Sequence, residues 1–299
     1  MSIENCLILA AGHGTRMGKL SEKVPKPLLP LFEKKLIEII IFQLQKLGIN
    51  NITVNSHHLS DQLDIFAKEN PHLRLQYEPV LLNTGGSILE YFNQHNCDQV
   101  LVVNSDIILD LNYGLLKNLE DTLSGDVALL CHSVTENEPY NRLNLEGGYV
   151  TEIIKYKEGL GDGVTYSGVS LVKNPRVLYQ RDSISFFESV ANPAQKKVNY
   201  LHQNIPSYDF GTASLYYENH FNILKEGENH PLFNLLVESG AIDSSKIKEL
   251  SYNSSIKEVI NLTDENPQIS QSIVISTLND EIDYKDAPKI IMGDLVEYC

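Results

Sequence analysis

The sequence LAAGHGTRM at residues 9–17 follows a short apolar run, residues 3–9, and determines how the rest of the chain is interpreted. An apolar run of this length is typical of a buried strand, and the two glycines that follow predict a tight loop at its carboxyl end. Glycines let backbone N–H groups turn toward an anion, and the loop ends in a cation, Arg16. Further along, PKPL at residues 25–28 holds Lys26 between two prolines. A loop of this kind predicts a binding site for a polyphosphate.

Two common phosphate-binding loops differ from this stretch. The dinucleotide fingerprint G-x-G-x-x-G has a third glycine that allows a helix to pack closely on its strand, but position 17 here is methionine. A P-loop ends in G-K-[S/T], and that ending is absent. The loop therefore indicates a phosphate site of another type.

Apolar runs and helical patterns alternate through the first half of the chain. Strands are predicted at 3–9, 51–55, 73–77, 99–103 and 126–131, and helices at 36–47, 59–67 and 85–93. This alternation predicts an α/β fold with a Rossmann-like, mostly parallel sheet and helices on both faces.

The pattern changes after residue 140. Two runs around Gly147 and Gly148 predict a hairpin, and a further strand is predicted at 165–172, which together indicate an antiparallel extension beside the parallel sheet. Helices follow at 214–224 and 232–239, and short strands at 256–261, 271–277 and 289–298. We therefore expect a catalytic domain at 1–240 and a small β-rich segment at 241–299, either a degenerate β-solenoid or an oligomerisation element.

Composition excludes several classes of protein. The 299 residues carry a formal net charge of −15, which argues against a nucleic-acid-binding surface. No apolar run approaches the roughly 18–20 residues that a membrane span needs. The four cysteines are far apart without a C-x-x-C pair, and Cys6, Cys97 and Cys131 in or beside apolar stretches are typical of buried thiols in a reducing compartment. The expected location is the cytoplasm.

Several motifs together resemble the nucleotidyltransferases that make nucleotide sugars from sugar 1-phosphates. Besides the glycine-rich loop and PKPL, they are LIE at 36–38, NTGGSI at 83–88, VVNSD at 102–106, YSGV at 166–169 and YDFGT at 208–212. They occur in the family's order and cover roughly residues 1 to 225. The most similar groups are the N-acetylmuramate 1-phosphate uridylyltransferases and the heptose and mannose 1-phosphate guanylyltransferases. One departure is Lys35, which stands where the family has proline before its L-I-E.

The resemblance implies a GT-A-like nucleotidyltransferase fold and a Mg²⁺-dependent reaction. A sugar-phosphate oxygen would attack the α-phosphorus of GTP or UTP and release pyrophosphate, giving a nucleotide sugar of the kind used for cell-envelope polysaccharide. A phosphate monoester is already largely ionised near neutral pH, so the reaction needs no general base. Positioning and electrostatic stabilisation must dominate, and the chain's glycines, cations and carboxylates fit that requirement. The expected partners are an NTP and a sugar 1-phosphate, with a homo-oligomer as a further expectation.

The resemblance also assigns roles to individual residues. Catalysis is assigned to four charged side chains, of which the two aspartates would also hold the metal: Arg16, Lys26, Asp106 and Asp209. The nucleotide is assigned to residues of the loop and of the T-G-G segment: Ala10, Ala11, Gly12, Gly14, Thr15, Thr84, Gly85 and Gly86. The sugar phosphate is assigned to Lys157 and Gly168.

Some of these assignments have simpler alternatives. Asp106 follows a buried strand, where turn aspartates and helix N-caps are common, and Thr84, Gly85 and Gly86 could simply begin a helix. Gly168 could merely relieve a strand. The family's hairpin E-K-P appears here without its proline, as KYKE at 155–158, so Lys155 competes with Lys157. His57 and His58 are adjacent and would face opposite ways on a strand, which favours structural histidines over a metal pair.

Two other functions compete with sugar nucleotidyl transfer. The same nucleotide loop could serve a cytidylyltransferase that acts on a phosphocholine-like or other small phosphate. A non-catalytic nucleotide-sugar-binding subunit could retain the fold, although it would have no need of paired cations and carboxylates.

Overall fold

The computed structural model describes residues 1–242 and four short strands beyond them, of which the backbone is described. The helices, in chain order, are α1 (Leu20–Lys23), α2 (Leu36–Lys46), α3 (Ser60–Glu69), α4 (Asn83–Gln94), α5 (Tyr113–Thr122), α6 (Ala213–Glu226) and α7 (Phe233–Glu238). The strands, in chain order, are β1 (Asn5–Leu9), β2 (Pro30–Leu31), β3 (Lys34–Lys35), β4 (Asn51–Ser56), β5 (Leu73–Tyr77), β6 (Gln99–Asn104), β7 (Ile107–Leu109), β8 (Val127–Val134), β9 (Arg142–Glu146), β10 (Tyr149–Ile154), β11 (Gly163–Lys173), β12 (Val198–His202), β13 (Ser207–Asp209), β14 (Val259–Asn261), β15 (Ser272–Val274), β16 (Lys289–Met292) and β17 (Leu295–Tyr298).

The chain divides into two compact units, each built from separate stretches of sequence. Unit 1 consists of Met1–Gly12, Leu44–Asn104 and Leu111–Ile205. Unit 2 consists of His13–Gln43, Ser105–Asp110 and the described residues from Pro206 onward.

Unit 1 is built on a nine-stranded sheet with the order β5-β4-β1-β6-β11-β8-β12-β10-β9. Its first four strands are parallel, and β4 and β6 lie on opposite sides of β1. In such a sheet the strand order reverses at β1, and ligands bind beyond the carboxyl ends of the strands at that point. The ends of β1 at Leu9 and of β6 at Asn104 are therefore the expected edge for a ligand.

Both faces of the parallel strands are covered. Leu7 and Ile8 of β1 are fully buried although neighbouring strand residues point to opposite faces, and Leu101 and Val102 of β6 behave in the same way. On one face, Ile88 and Tyr91 of α4 pack with Leu7 and Val102 in an apolar core. The predicted α/β class with both faces of the sheet covered is confirmed.

The second half of the sheet is more mixed than the sequence predicted. Strand β11 is antiparallel to both β6 and β8, so it lies within the sheet and continues it. Strands β8 and β12 are parallel to each other, and the predicted hairpin of β9 and β10 forms the sheet's edge. The antiparallel extension therefore shares hydrogen bonds with the parallel strands instead of packing beside them.

Unit 2 has its own apolar core. Leu29 and Leu36 pack with Ile108 of β7, with Phe210 and with Tyr216 of α6. All five residues are buried. Strands β7 and β13 form a two-stranded antiparallel ladder, and β2 pairs with β3 in another. Because Ile108 and Phe210 are both in the core, the residues just before β7 and at the end of β13 are held together by packing as well as by backbone hydrogen bonds.

Strands β14 to β17 form a small four-stranded sheet within unit 2. The pairs β14–β15 and β15–β16 are parallel, and β16–β17 is antiparallel. Each predicted C-terminal strand contains a described strand, but residues 243–258 and all positions between the four strands lie outside the described residues. The domain boundary at residue 240 and the solenoid or oligomerisation role stay predictions.

Two of the four cysteines behave as predicted. Cys6 and Cys131 are buried, and burial raises the pKa of the Cys131 thiol to about 12 and that of Cys6 further still. Cys97 is only partly buried, which corrects the expectation of a buried thiol, and Cys299 lies outside the described residues. Buried thiols of this kind are inert apolar side chains.

Among the helices that the structure describes, none has both the length and the apolar character needed to cross a bilayer.

Candidate active site

The glycine-rich loop continues from β1 and places Arg16 in solvent. Gly14 has φ +64°, a conformation that favours glycine, and the residues after it form one short helical turn. The Met17 N–H donates to the Gly14 carbonyl at 2.8 Å, and the Met17 side chain enters the core of unit 2. Since Met17 points inward, the adjacent Arg16 is left exposed and its guanidinium is available to an anion.

Lys26 is held by its two prolines in a second short helical turn. Pro25 is buried and its carbonyl accepts from the Leu28 N–H at 2.8 Å, which fixes the backbone on both sides of the lysine. The Lys26 ammonium forms an ion pair with Asp106 Oδ2, and each side chain is only 14% exposed. Lys26 is therefore not a solvated surface charge.

Asp106 and Asp209 are brought together by the β7–β13 ladder. Asp209 is the last residue of β13 and lies opposite Ile107. The Phe210 N–H donates to the Asp106 carbonyl at 2.8 Å, so the two aspartates lie at the same end of the ladder. The Asp209 carboxylate accepts from the Gly211 N–H at 2.6 Å.

All four charged side chains meet around Gly211. A Cβ atom added at this glycine would lie 2.6 Å from Asp209 Oδ1, 2.9 Å from Asp106 Oδ2 and 3.1 Å from Arg16 Nη2. The Lys26 ammonium reaches the same Asp106 oxygen. We call Arg16, Lys26, Asp106 and Asp209 the charged cluster. Its members come from three separate stretches of sequence, and all of them belong to unit 2.

The charged cluster suits a divalent cation and phosphate groups. Two carboxylate oxygens lie within 3 Å of one point beside Gly211, and hard oxygen ligands of this type are what Mg²⁺ prefers. The described residues hold no cluster of three or more His, Cys, Asp and Glu ligands, so phosphates and water would have to complete the shell of such an ion. Arg16 and Lys26 carry positive charges of the kind that bind phosphate groups.

The start of the loop is held by a buried side chain, and its predicted contact with a nucleotide stays a prediction. The Ala10 and Ala11 N–H groups both donate to Asn55 Oδ1, at 2.5 and 3.1 Å. These two amides are therefore taken up by a side chain and do not turn toward an anion. Of the other predicted loop residues, Gly12 and Thr15 are exposed and Gly14 is partly buried.

The T-G-G segment forms the first turn of α4, where Thr84 is partly buried. A Cβ on Gly85 would lie 2.1 Å from Ser189 Oγ, and one on Gly86 would lie 2.3 Å from the Tyr179 hydroxyl. These glycines thus allow residues 179–189, which we call the crossing segment, to approach the helix closely. This close approach is a structural reason for both glycines. Their contact with a nucleotide stays a prediction.

The residues predicted for the sugar phosphate lie in unit 1. Lys155 and Lys157 are both exposed in the loop that follows β10. Gly168 is buried in β11 with φ +82°, where the β11–β8 pairing is interrupted. The interruption accounts for the glycine as relief of a strand, and the sugar-phosphate roles of Lys157 and Gly168 stay predictions.

Three residues of interest were not assigned from the sequence. Gly211 belongs to the YDFGT motif, which predicts no role for it, and its small size is what lets the charged side chains approach one another. Asn55 and Glu78 lie at the carboxyl ends of β4 and β5, and both are buried. The available signal was that both are polar residues at the ends of neighbouring strands.

His57 and His58 lie after β4, and His57 Nδ1 is 2.8 Å from the Glu78 carbonyl oxygen. The preference for structural histidines over a metal pair stays a prediction.

Comparison with known proteins places this architecture in context. At the level of structure, HddC from Yersinia pseudotuberculosis complexed with GMP-PN superposes with a TM-score of 0.64 at 20% identity, covering 74% of this chain and all of that one. A putative glucose-1-phosphate thymidylyltransferase from Bacillus anthracis gives 0.61 at 16%, covering 77% and 98%. A UDP-glucose pyrophosphorylase complexed with UDP-glucose gives 0.60 at 16%, covering 75% and 99%. These similarities show the fold.

Sequence comparison adds the family. The chain is 32% identical over 154 residues to the bifunctional protein GlmU of Francisella tularensis, a stretch that spans 51% of this chain and 33% of that relative. The sequence model of the MobA-like NTP transferase domain matches residues 6–180, which is more than half of the chain. The nucleotidyltransferase resemblance is thus confirmed, and the chain belongs to the family of MobA-like NTP transferase domains.

Proposed function

We propose that this chain transfers a nucleoside monophosphate from an NTP to a sugar 1-phosphate. An oxygen of the sugar phosphate forms a bond to the α-phosphorus, the bond from that phosphorus to the bridging oxygen breaks, and pyrophosphate leaves with the electron pair. The product is a nucleotide sugar. The observation that carries the proposal is the convergence of two cations and two carboxylates around Gly211 in a chain of this family.

The chemistry explains why the charged cluster has this composition. Both reactants are anions, and negative charge grows on the departing pyrophosphate, so catalysis depends on positioning and charge stabilisation. Arg16 would bind the β- and γ-phosphates, because it is exposed and always charged. Lys26 would bind the α-phosphate or the incoming sugar phosphate, because its ion pair with Asp106 directs the ammonium into the cluster.

Asp106 and Asp209 would hold Mg²⁺ between them. Bound there, the ion would neutralise charge on the phosphate oxygens during transfer. Asp106 Oδ2 also contacts Lys26, so the lysine would keep this carboxylate oriented. The Gly211 N–H, which donates to Asp209 Oδ1, would orient the second carboxylate.

The nucleotide is proposed to contact the loop of residues 10–15 and the start of α4. GTP and UTP are the proposed donors. HddC was crystallised with GMP-PN and the UDP-glucose pyrophosphorylase with UDP-glucose, and both share the fold. The proposed setting is the cytoplasm, where NTPs are available and thiols stay reduced, with the product used for cell-envelope polysaccharide.

One assay tests the proposal directly. The protein is incubated with Mg²⁺, each of the four common NTPs in turn and a panel of sugar 1-phosphates, and pyrophosphate is measured. Release that needs one NTP, one sugar 1-phosphate and Mg²⁺ together is the expected result.

Two other outcomes would replace the proposal. Release with CTP and phosphocholine, but with no sugar 1-phosphate, would indicate a cytidylyltransferase. Nucleotide-sugar binding without pyrophosphate release under any combination would indicate a regulatory subunit.

A further inference from the structure

The backbone at the start of the nucleotide loop is held by one side chain. Asn55 Oδ1 accepts from two consecutive N–H groups, Ala10 at 2.5 Å and Ala11 at 3.1 Å. Asn55 is 2% exposed, so water cannot replace it. The position at which the loop leaves β1 is therefore set by the Asn55 amide.

The orientation of that amide is fixed from the other side. Asn55 Nδ2 donates to Glu78 Oε1 at 2.8 Å and to Ser87 Oγ at 3.0 Å. Glu78 is fully buried and the carboxylate accepts hydrogen bonds, since Leu82 N–H donates to its Oε2 at 3.2 Å. Because Glu78 Oε1 accepts a hydrogen bond, Asn55 must turn its Nδ2 toward Glu78. Asn55 Oδ1 therefore faces the N–H groups of the loop.

The same groups hold the start of α4. Ser87 Oγ donates to the Asn83 carbonyl at 2.9 Å, and Gln76 Nε2 donates to the Ser87 carbonyl at 3.0 Å. We call Asn55, Gln76, Glu78 and Ser87 the buried network. All four residues are at most 2% exposed and lie in unit 1. The network joins the two stretches to which nucleotide binding is assigned, the loop after β1 and the T-G-G turn.

We infer that Asn55 is a positioning residue for the nucleotide, oriented by Glu78, and that it fixes the loop after β1 relative to the first turn of α4. The inference rests on the proposed nucleotide-binding role of both stretches. It also changes how the loop would be used. Because the Ala10 and Ala11 amides are taken, the nucleotide would contact these residues through other atoms, and phosphate contacts would fall to later positions of the loop.

The chain offers a matched control for this arrangement. Asn199 also accepts from two consecutive backbone amides through one oxygen, Ser124 at 3.1 Å and Gly125 at 2.7 Å. Its Nδ2 donates to the Gly148 carbonyl, and the residue is 5% exposed. Asn199→Asp therefore removes an Nδ2 donor from an asparagine that holds two consecutive backbone amides, as Asn55→Asp does. The turn that Asn199 holds has no proposed nucleotide role.

The test compares Asn55→Asp, Asn199→Asp, Glu78→Gln and the double variant Asn55→Asp/Glu78→Gln. In Asn55→Asp the acceptor for the loop remains, but a carboxylate faces Glu78. In the double variant the donor and acceptor are exchanged, because the amide introduced at position 78 can donate to the carboxylate introduced at position 55. The net charge of the pair is then the same as in the native chain.

Three quantities are measured for each variant: the Kd for a non-hydrolysable NTP by calorimetry, and kcat and KM for pyrophosphate release. For Asn55→Asp we expect the Kd and KM for NTP to rise about tenfold or more with a smaller change in kcat, since a displaced loop misplaces the nucleotide. Asn199→Asp should lower the melting temperature and leave Kd unchanged. The double variant should recover most of the lost affinity.

The outcomes separate this inference from the proposed reaction. If the native protein binds an NTP but releases no pyrophosphate, the proposed reaction fails and Kd alone judges Asn55. Equal Kd changes in Asn55→Asp and Asn199→Asp, or a double variant no tighter than Asn55→Asp, would overturn the inference. If Asn55→Asp does not fold, Ser87→Ala removes one partner of the Asn55 amide, and an unchanged Kd in it and in Glu78→Gln would also overturn it.

Discussion

The charged cluster of unit 2 and the buried network of unit 1 both place carboxylates beside strand ends, but they surround those carboxylates with different partners. In the charged cluster, Asp106 faces Lys26, and Arg16 is exposed. In the buried network, Glu78 is sealed from water and satisfied by hydrogen bonds from neutral donors. Charges left accessible can act on a ligand, whereas polar groups closed in the interior can only hold the backbone in place.

Glycines differ between the two regions in the same way. Gly211 lies against the tips of charged side chains, which can move. Gly85 lies against backbone carbonyls of the crossing segment, which cannot move without rearranging the fold. Substitutions at the two glycines should therefore affect different properties of the protein.

Removing a carboxylate from the charged cluster should have the largest effect. Asp106→Ala removes an assigned metal ligand and leaves Lys26 without its partner, so we expect kcat for pyrophosphate release to fall by at least about a hundredfold. Asp110→Ala is the control, because this exposed aspartate directly follows β7 and lies only four residues after Asp106. Steady-state kinetics at saturating Mg²⁺ measures both. Turnover of Asp106→Ala within a few fold of Asp110→Ala would exclude a metal or charge role for the carboxylate.

Gly211→Ala should impair activity without loss of stability. Its Cβ would come within 3 Å of both aspartate oxygens, which must move, and Gly211 does not have a left-handed φ, so alanine is tolerated by the backbone. We expect kcat to fall roughly tenfold or more, because carboxylates displaced by about 1 Å lose their geometry. Circular dichroism melting should change little. A large drop in melting temperature would mean that the glycine is there for folding.

The sequence predicted the regular part of the fold because that part is local. The runs at β1, β4 and β6 are apolar and of strand length, and α2 and α4 carry helical periodicity. Strands β7 and β13 are three residues each, and they exist because residues a hundred positions apart pair with each other. Helix α5 was missed, although Asn112 Oδ1 caps it by accepting from the Leu115 N–H at 3.0 Å and Leu115, Leu116 and Leu119 form its buried face. Strand β11 was predicted, but its antiparallel place between β6 and β8 is a non-local choice.

The residues of the candidate site also divide into those that local sequence predicts and those that depend on non-local packing. Arg16, Lys26, Asp106 and Asp209 were predicted because motifs carry them, and the structure brings them together. Asn55 and Glu78 were not predicted, since a polar residue at a strand end usually faces solvent and its burial depends on packing of α4. The use of the Ala10 and Ala11 amides by Asn55 could not be read from the sequence either, because it depends on the register of β1 against β4.

Gly85→Ala is the counterpart of Gly211→Ala and should reduce stability. Its Cβ would lie 2.5 Å from the Ser185 carbonyl and 2.9 Å from the Ile184 carbonyl. We expect a loss of about 1–3 kcal/mol in the free energy of unfolding, measured by urea denaturation. Gly114→Ala, at an exposed position of α5 with no close neighbour beyond the Asn112 side chain, should raise it slightly. Equal stability of the two variants would show that the crossing segment does not press on α4.

The smallest expected effect is a pH dependence that belongs to unit 2. His220 is fully buried beside the Phe32 and Tyr216 rings, and burial lowers its pKa to about 4. Below its unfolded pKa of about 6.5, the unfolded chain binds a proton at His220 that the folded chain excludes, so stability falls as pH decreases from about 6.5 toward 4. Between pH 7 and pH 5.5 this single group should cost about 1 kcal/mol. Urea denaturation of the native chain and of His220→Phe at both pH values measures it, because phenylalanine keeps the ring in the core and cannot bind a proton. If the two chains lose the same stability between these pH values, His220 is not the group that titrates.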